Sequence, residues 1–434
     1  MLAYYLRLAL RSFRRNRALT ALMVLAIALG IGASMTTLTV FKVLSGDPLP
    51  GKSDRVFLVQ LDAEPLATQV PGDEPATQLT RYDAEELLRQ ARGHRQALMV
   101  GGRTVIEPVA STLKPFIDQS RYTSADFFPM FEAPFAHGQA WSRADDDARA
   151  RVAVISRVLN DKLFDGADSI GRELRINGES LRIVGVLDDW SLSPKFYDLN
   201  TGAYGRDEQV FIPFSTAMDL DFDTSGMTNC FGTDPVSDPR ALNAACSWVQ
   251  YWVELESPSQ ATAYRAMLEN YSAQQKAAGR YERAPNVRLR NVMEWLEFRQ
   301  VVPGDVRLQM WLALGFLLVC LLNTVGLLLA KFLRRGGEIG VRRALGASRR
   351  DIFAQCLVEA GTVGLAGGVL GLGLALLGLW AVRQRPTGYA ALAHLDGAML
   401  MATFALALVA SLLAGLLPAW RAMQITPAVQ LKSQ

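Results

Sequence analysis

The chain has 434 residues, of which 50% are hydrophobic and 20% charged, and its formal net charge is +3. This length suits two or three domains, and so ordinary a charged fraction does not by itself mark a membrane protein. A nucleic-acid footprint is excluded, because the basic residues gather at the ends of apolar segments, where membrane topology accounts for them.

Taken in chain order, residues 1–17 (MLAYYLRLALRSFRRNR) place Leu6, Leu10 and Phe13 on one helical stripe and Arg7, Arg11 and Arg14 on its neighbour. This pattern predicts an amphipathic helix lying in the inner membrane interface. Residues 18–44 then form an apolar run long enough to cross a hydrocarbon core of ~30 Å. The run is too long for the ~7–15-residue core of a cleaved signal peptide. It predicts the first transmembrane helix.

Residues 45–305 hold 38 acidic and 27 basic residues, a net charge of −11, and read as a large extracytoplasmic α+β domain. RVFLVQL (55–61), RYDAEELLRQAR (81–92) and ALMVGGRTVIEPV (97–109) give strand, helix and strand. SWVQYWVELE (247–256), SQATAYRAMLENYSAQQKAAG (259–279) and NVRLRNV (286–292) repeat that order about 190 residues later. Two related β-α-β halves are expected to form one membrane-proximal lobe, with a distal insert over about 110–246. Inside the insert, RVAVISRVLNDKLF (151–164) reads as a strand feeding a helix, and LRINGESLRIVGVLDD (174–189) as a hairpin turning at Asn177-Gly178. Residues 191–246 show little periodicity and are expected to be loops. Cys230 and Cys246 fall among them. A bridge between the two closes a loop of about 15 residues and contributes roughly 3 kcal/mol in the chain-entropy model. The expectation is a disulfide, with two buried free thiols as the alternative.

Three more apolar segments follow, at 306–330, 356–382 and 397–417, giving an integral membrane fold of four transmembrane α-helices, one plus three. Residues 1–17 carry five Arg, the connector 331–355 seven Lys or Arg, and the tail 418–434 two, against two in the short 383–396 loop. By the positive-inside rule both termini and the connector are cytoplasmic, and residues 45–305 and 383–396 lie on the other side.

The connector runs into the third apolar segment as EIGVRRALGASRRDIFAQCLVEAG (338–361). Glu338 and Arg342 stand at i, i+4, and Val341, Ala344 and Leu345 make a narrow apolar face. Gly346 permits a backbone break, and Ser348 with Asp351 forms an S-x-x-D capping box that starts the next helix. An apolar knob rimmed by arginines suits a groove in a cytoplasmic partner. An interfacial helix anchored by phospholipid fits equally well. Glu359, the one acid in the apolar segments, is expected at the interface or paired with a connector arginine rather than in a proton relay.

EIGVRRALGASRRDIFAQCLVEA, with the terminal PAWRAMQITPAVQLK (418–432), resembles the signature of ABC transporter permeases of the MacB, FtsX and LolC/LolE group. Residues 123–189 are similar to the periplasmic core domain of its MacB-like members. The resemblance implies that Glu338, Ile339, Val341, Arg342, Arg343, Leu345, Gly346, Ala347 and Arg349 form the loop that engages the ATPase. It also implies a bacterial inner-membrane location and a dimer of permeases, either of this chain or with a paralogue. Two cytoplasmic ATPase subunits would carry ATP and Mg. In the mechanism it implies, mechanotransmission, ATPase closure rearranges the ectodomains with no conduit through the bilayer. A periplasmic adaptor and an outer-membrane duct are further partners of such a system.

No G-x-x-x-x-G-K-[ST] occurs, so the chain is expected to be non-catalytic, to hold no cofactor, and to have its ATP bound by another polypeptide. His94, His137 and His394 lack the spacing of metal ligands. Asp145, Asp146 and Asp147 lack the calcium-loop pattern and read as a solvated turn. The leading function is export of a substrate from the periplasm or outer leaflet. An FtsX-like subunit switching a cell-wall hydrolase, and Lol-like lipoprotein extraction, are the competing readings.

Overall fold

The computed structural model describes Tyr5, Leu8, Ser12 and Phe13, residues 17–108, 113–231, 236–302 and 304–384, His394, and residues 397–424. The chain divides into two compact units, Met1–Ser45 with Val302–Gln434, and Gly46–Val301. Of the interfacial helix expected at the N-terminus, Arg7, Arg11 and Arg14 lie outside the described residues, as do most of the 383–396 loop and the end of the tail.

In the first unit, four helices among the described residues are long and apolar enough to cross a membrane: Arg17–Ser45, Gly304–Arg334, Arg349–Arg383 and Gly397–Met423. At 1.5 Å per residue they reach roughly 40–50 Å, well beyond the hydrocarbon core. They therefore outrun the apolar segments that announce them. The second continues to Arg334 rather than ending at 330, and the third starts at Arg349 rather than 356. The fourth passes through Pro418 to Met423. Hydropathy marks where lipid begins, whereas a helix ends where its backbone is capped, and the Ser348 capping box starts this helix at Arg349, seven residues before the expected start. The connector expected over 331–355 shrinks to a helix, Gly336–Ala344, and its two flanking turns.

The first membrane helix buries Met23, Ile27, Ile31 and Met35, one per turn, and packs on the second and third. The third meets it with glycines. A Cβ on Gly371 would stand 3.0 Å from the Ile31 Cβ and 3.1 Å from the Ala28 carbonyl oxygen. Only a residue without a side chain lets these two backbones approach so closely.

The second unit is built on one 13-stranded sheet. Its strands are β1 (Val56–Gln60), β2 (Leu79–Thr80), β3 (Arg95–Glu107), β4 (Phe116–Thr123), β5 (Phe135–Gly138), β6 (Val152–Ile155) and β7 (Glu173–Ile176). β8 (Glu179–Leu187), β9 (Val210–Pro213), β10 (Thr224–Ser225), β11 (Asn229–Cys230), β12 (Cys246–Glu254) and β13 (Arg288–Asn291) complete it. The main path runs β13-β1-β12-β3-β4-β9-β6-β8-β5. The two expected β-α-β halves are β1 and β3 around the helix Arg81–Gln90, and β12 and β13 around the helix Pro258–Ala277. They do not sit side by side. β1 lies between β13 and β12, and β12 between β1 and β3, all antiparallel, so the halves interleave as in a ferredoxin-like split βαβ unit.

The segment expected as a distal insert is not a separate lobe. β4 pairs with β3 over eight residues, and β9, β6, β8 and β5 extend the same sheet. Nor is 191–246 all loop, since β9 is a fully buried strand followed by the helix Phe214–Asp219. A four-residue apolar run is too short to show a period. The hairpin at Asn177-Gly178 turns with φ of 50° and 86°, the positive pair a type I′ turn requires.

Both faces of the sheet are covered. Along β12, Val249, Tyr251 and Val253 enter one core with Val59, Leu98, Ile155 and Ile212. Trp252 enters the other, with Leu58, Met99, Val154 and Phe211. The alternation of β12 thus sorts side chains between two cores rather than between core and solvent, and its polar partners Gln250 and Glu254 are buried too. FFPMF (127–131) supplies the second core with Phe127, Phe128 and Phe131, set edge-to-face or stacked on Trp141, Tyr197 and Phe196.

Candidate coupling site

The connector helix has two apolar faces with different fates. Gly336, Ile339 and Gly340 are buried, and Ile339 joins a core that contains Phe332, Ile352 and Cys356. On the outward side Val341 is 54% and Leu345 83% exposed, and Ala344 is exposed between them. Beyond the apolar membrane segments, these three side chains make one contiguous apolar stripe, and it is the patch rather than any single exposed Leu that marks a contact surface. The helix stops because Gly346 adopts a φ of +102°, which a residue with a side chain rarely takes. Ser348 Oγ then accepts from the Asp351 N–H at 3.2 Å while Asp351 accepts from the Ser348 N–H at 3.0 Å, starting the third membrane helix.

The nine residues singled out in the sequence therefore divide. Glu338, Val341, Leu345, Gly346 and Arg349 are exposed, whereas Ile339 points inward and anchors the helix. Ala347 packs against the membrane core. The rim of arginines is smaller than expected. Arg342 donates to Gln355 Oε1 of the third membrane helix at 2.7 Å, and Arg343 reaches the Met423 carbonyl at 3.5 Å. Both are only partly exposed because a long guanidinium side chain at the foot of a helix bundle finds unsatisfied acceptors there.

Beneath the connector lies a cavity of ≈ 270 Å³ lined by Ser12, Arg335, Ile339, Arg342 and Glu359 among others. Glu359 is 3% exposed and accepts from three sides. Lys331 Nζ stands 2.7 Å away, Arg335 Nη1 is 3.3 Å from both carboxylate oxygens, and the Ser12 hydroxyl donates to Oε1. Lys331 is fully buried and also lies 3.4 Å from Thr20 Oγ1 of the first membrane helix. Glu359 thus does pair with a connector arginine. Lys331 is the partner that sequence reasoning missed, because it was counted among the loop's basic residues. The available signal was the lone intramembrane acid, which demands a buried cation, and Lys331 is the basic residue adjoining the preceding apolar run.

In the α/β domain Cys230 and Cys246 face each other across β11 and β12 and form a disulfide, while Cys320 and Cys356 of the membrane unit are buried free thiols. Its core holds a second charged cluster. Arg121 of β4 donates to Asp198 at 2.7 Å and to Glu208, and Lys195 Nζ lies 3.0 Å from Glu208. Burial alone would raise the Glu208 carboxyl, but the charges and hydrogen bonds of Arg121 and Lys195 hold it down at about 2.

The three aspartates expected as a solvated turn form a short helix, Arg143–Asp147, in which Asp145 completes a capping box with Ser142. Asp146 turns inward and accepts from the Ala125 N–H and Trp141 Nε1, both at 2.8 Å. Burial pushes its carboxyl up to about 7, reinforced by Asp147 and Asp126 and opposed by those two donors. The helix forms one wall of a cleft of ≈ 740 Å³. His94 lies 3.5 Å from Glu256, and His394 is 3.1 Å from Arg383.

Residues 20–271 match the MacB-like periplasmic core domain, and residues 310–427 the FtsX-like permease C-terminal domain. A pyoverdine export ATP-binding/permease protein of Pseudomonas syringae is 28% identical over 331 residues, covering 73% of this chain and 44% of its own length. A macrolide export ATP-binding/permease protein of Marinobacter nauticus is 24% identical over 436 residues, covering 99% of this chain and 60% of its own. The chain thus spans only part of the curated relatives it matches. The periplasmic region of MacB from Actinobacillus actinomycetemcomitans is 12% identical, with a TM-score of 0.37 over 61% of this chain and 98% of that one. Since the periplasmic core match alone takes in more than half of the chain, and the permease match covers the last three membrane helices, the protein belongs to the MacB-like family of ABC transporter permeases.

Proposed function

We propose that this chain is the membrane-spanning subunit through which a separate ATPase, holding ATP and Mg, drives movement of the α/β domain to export a substrate from the periplasm or outer leaflet. The observation that carries this reading is the outward face Val341, Ala344 and Leu345 on a helix fixed from behind by Ile339. It is an apolar knob of the kind that seats in a partner's groove. The excess of basic residues near this end of the bundle supports a cytoplasmic position for the knob, where an ATPase has access to ATP. The α/β domain then lies in the periplasm, and the family relationship supports an inner-membrane complex of two permeases and two ATPases. The relatives' names, which cite pyoverdine and macrolide export, favour expulsion over hydrolase signalling.

Leu345→Glu places an unpaired charge in the proposed groove. It is expected to weaken ATPase binding by more than roughly a hundredfold while the permease stays inserted, each ~1.4 kcal/mol being tenfold. Arg349→Ala, an exposed neighbour outside the apolar face, is expected to change binding by about 1 kcal/mol or less. Co-purification of the ATPase with each variant, beside a check of membrane expression, reads both. Retention of the ATPase by Leu345→Glu together with its loss from Arg349→Ala replaces the apolar knob by an electrostatic contact.

A further inference from the structure

We infer that the ion pair between Arg335 and Glu359 is the tether through which displacement of the connector helix reaches the membrane helices, and that both are positioning residues for the ATP-driven movement. The inference rests on the ATPase-coupled reading above.

The connector helix is joined to its neighbours by two turns, one ending at Arg335 and one at Gly346. Ile339 packs into the core, but apolar packing is non-directional and lets a helix rotate about its contact. Beside the longer contact of Arg343 to the Met423 carbonyl, two polar rungs to the third membrane helix supply the direction. Arg342 reaches Gln355 at 2.7 Å and Arg335 reaches Glu359 at 3.3 Å. The two arginines are seven residues, or two turns, apart on the connector side. Their acceptors are i, i+4 neighbours on the third membrane helix, so both rungs tie the connector to one helical face.

The inner rung has further consequences. Glu359 is also held by Lys331 of the second membrane helix at 2.7 Å and by Ser12 of the N-terminal segment. A movement that drags Arg335 must carry this carboxylate with it, or leave charge unpaired where little solvent can replace the partner. The connector, the second and third membrane helices and the N-terminal segment therefore share one carboxylate. Arg335 is the member that belongs to the connector, since it is the N-cap of that helix.

Removing Arg335 tests the tether without dismantling the bundle, because the Lys331–Glu359 pair remains. The full permease is assembled with its ATPase in lipid nanodiscs. Hydrogen–deuterium exchange over residues 46–301 is compared between the nucleotide-free and the ATP–vanadate-trapped complex. Arg335→Gln is expected to keep ATPase co-purification and ATP turnover within about twofold of the wild type, while the vanadate-induced change in exchange falls at least about fivefold. Arg335→Lys, which restores the charge, is expected to recover most of it. An undiminished change in Arg335→Gln overturns the tether. So does loss of the ATPase in step with the change, which makes Arg335 a docking residue, and so does a lack of recovery with lysine. If the wild type binds no ATPase or shows no vanadate-induced change, the ATP-coupled function itself fails instead.

Discussion

In the α/β domain two cations, Arg121 and Lys195, face two carboxylates, Asp198 and Glu208, and the cluster is closed by neutral donors. Tyr197 donates to Glu208 at 3.0 Å and Gln250 to Asp198 at 3.1 Å. In the membrane unit Lys331 and Arg335 share a single carboxylate, with a serine hydroxyl as the third donor. The first cluster is balanced and buried against the sheet, with Arg121 on β4 and its partners on the segment that leads into β9. The second carries one positive charge more than it neutralises and joins separate helices that share an apolar core. Balanced burial holds a core together, whereas an unbalanced cluster shared between separate helices is sensitive to where those helices stand.

The largest test of this contrast is Arg121→Met, which leaves Asp198 and Glu208 to share Lys195 in the core. It is expected to cost about 3–5 kcal/mol, read from thermal unfolding followed by tryptophan fluorescence. A loss below about 1 kcal/mol means that the balanced cluster is not what holds the sheet.

Acid probes the same cluster. Glu208 titrates at about 2 in the folded protein against 4.5 for the free group. Because its folded value is depressed, the stabilisation is complete above the unfolded value and disappears as pH falls from about 4.5 towards about 2, a loss of about 3 kcal/mol. In Arg121→Met this acid-sensitive step is expected to shrink, and an unchanged step refutes the assignment to Glu208.

Reduction sharpens the contrast further, because the bridge belongs to the α/β domain while the membrane unit's cysteines are free. Cys230→Ser with Cys246→Ser is expected to lower the α/β domain's stability by about 2–3 kcal/mol and leave membrane insertion unchanged. Peptide mapping without reduction recovers the cross-linked pair, whereas full alkylation of both thiols removes it. The smallest effect falls on Arg335→Gln, at about 1 kcal/mol or less of overall stability, since Lys331 still neutralises Glu359. A loss as large as that of Arg121→Met erases the distinction between the two clusters.

Much of this was legible in order along the chain. The four crossings, the capping box at Ser348, the turn at Asn177-Gly178 and the two β-α-β patterns each rest on local chemistry, in which a few neighbouring residues decide the outcome. So does the outward face of the connector, because Val341, Ala344 and Leu345 lie on one helical stripe, which is exposed among the described residues. The ends of the membrane helices were less legible, since hydropathy tracks the lipid boundary while Lys331 and Arg349 continue the helix beyond it.

The amino-acid sequence by itself determined the four apolar crossings, most of the longer elements and the family, because periodicity, caps and motifs are short-range and need no partner, whereas short buried elements such as β9 escaped it. Only the tertiary structure decided that the two β-α-β halves interleave and that the supposed insert extends their sheet, since strand order is a choice among distant segments of similar apolar character. It likewise decided which buried charges meet. Lys331 and Glu359 are 28 residues apart, and Arg121 and Glu208 are 87 apart. Glu359 announces by its apolar surroundings that it needs a partner, but which cation meets it, and that Arg121 and Glu208 are buried at all, depends on segments far apart in sequence.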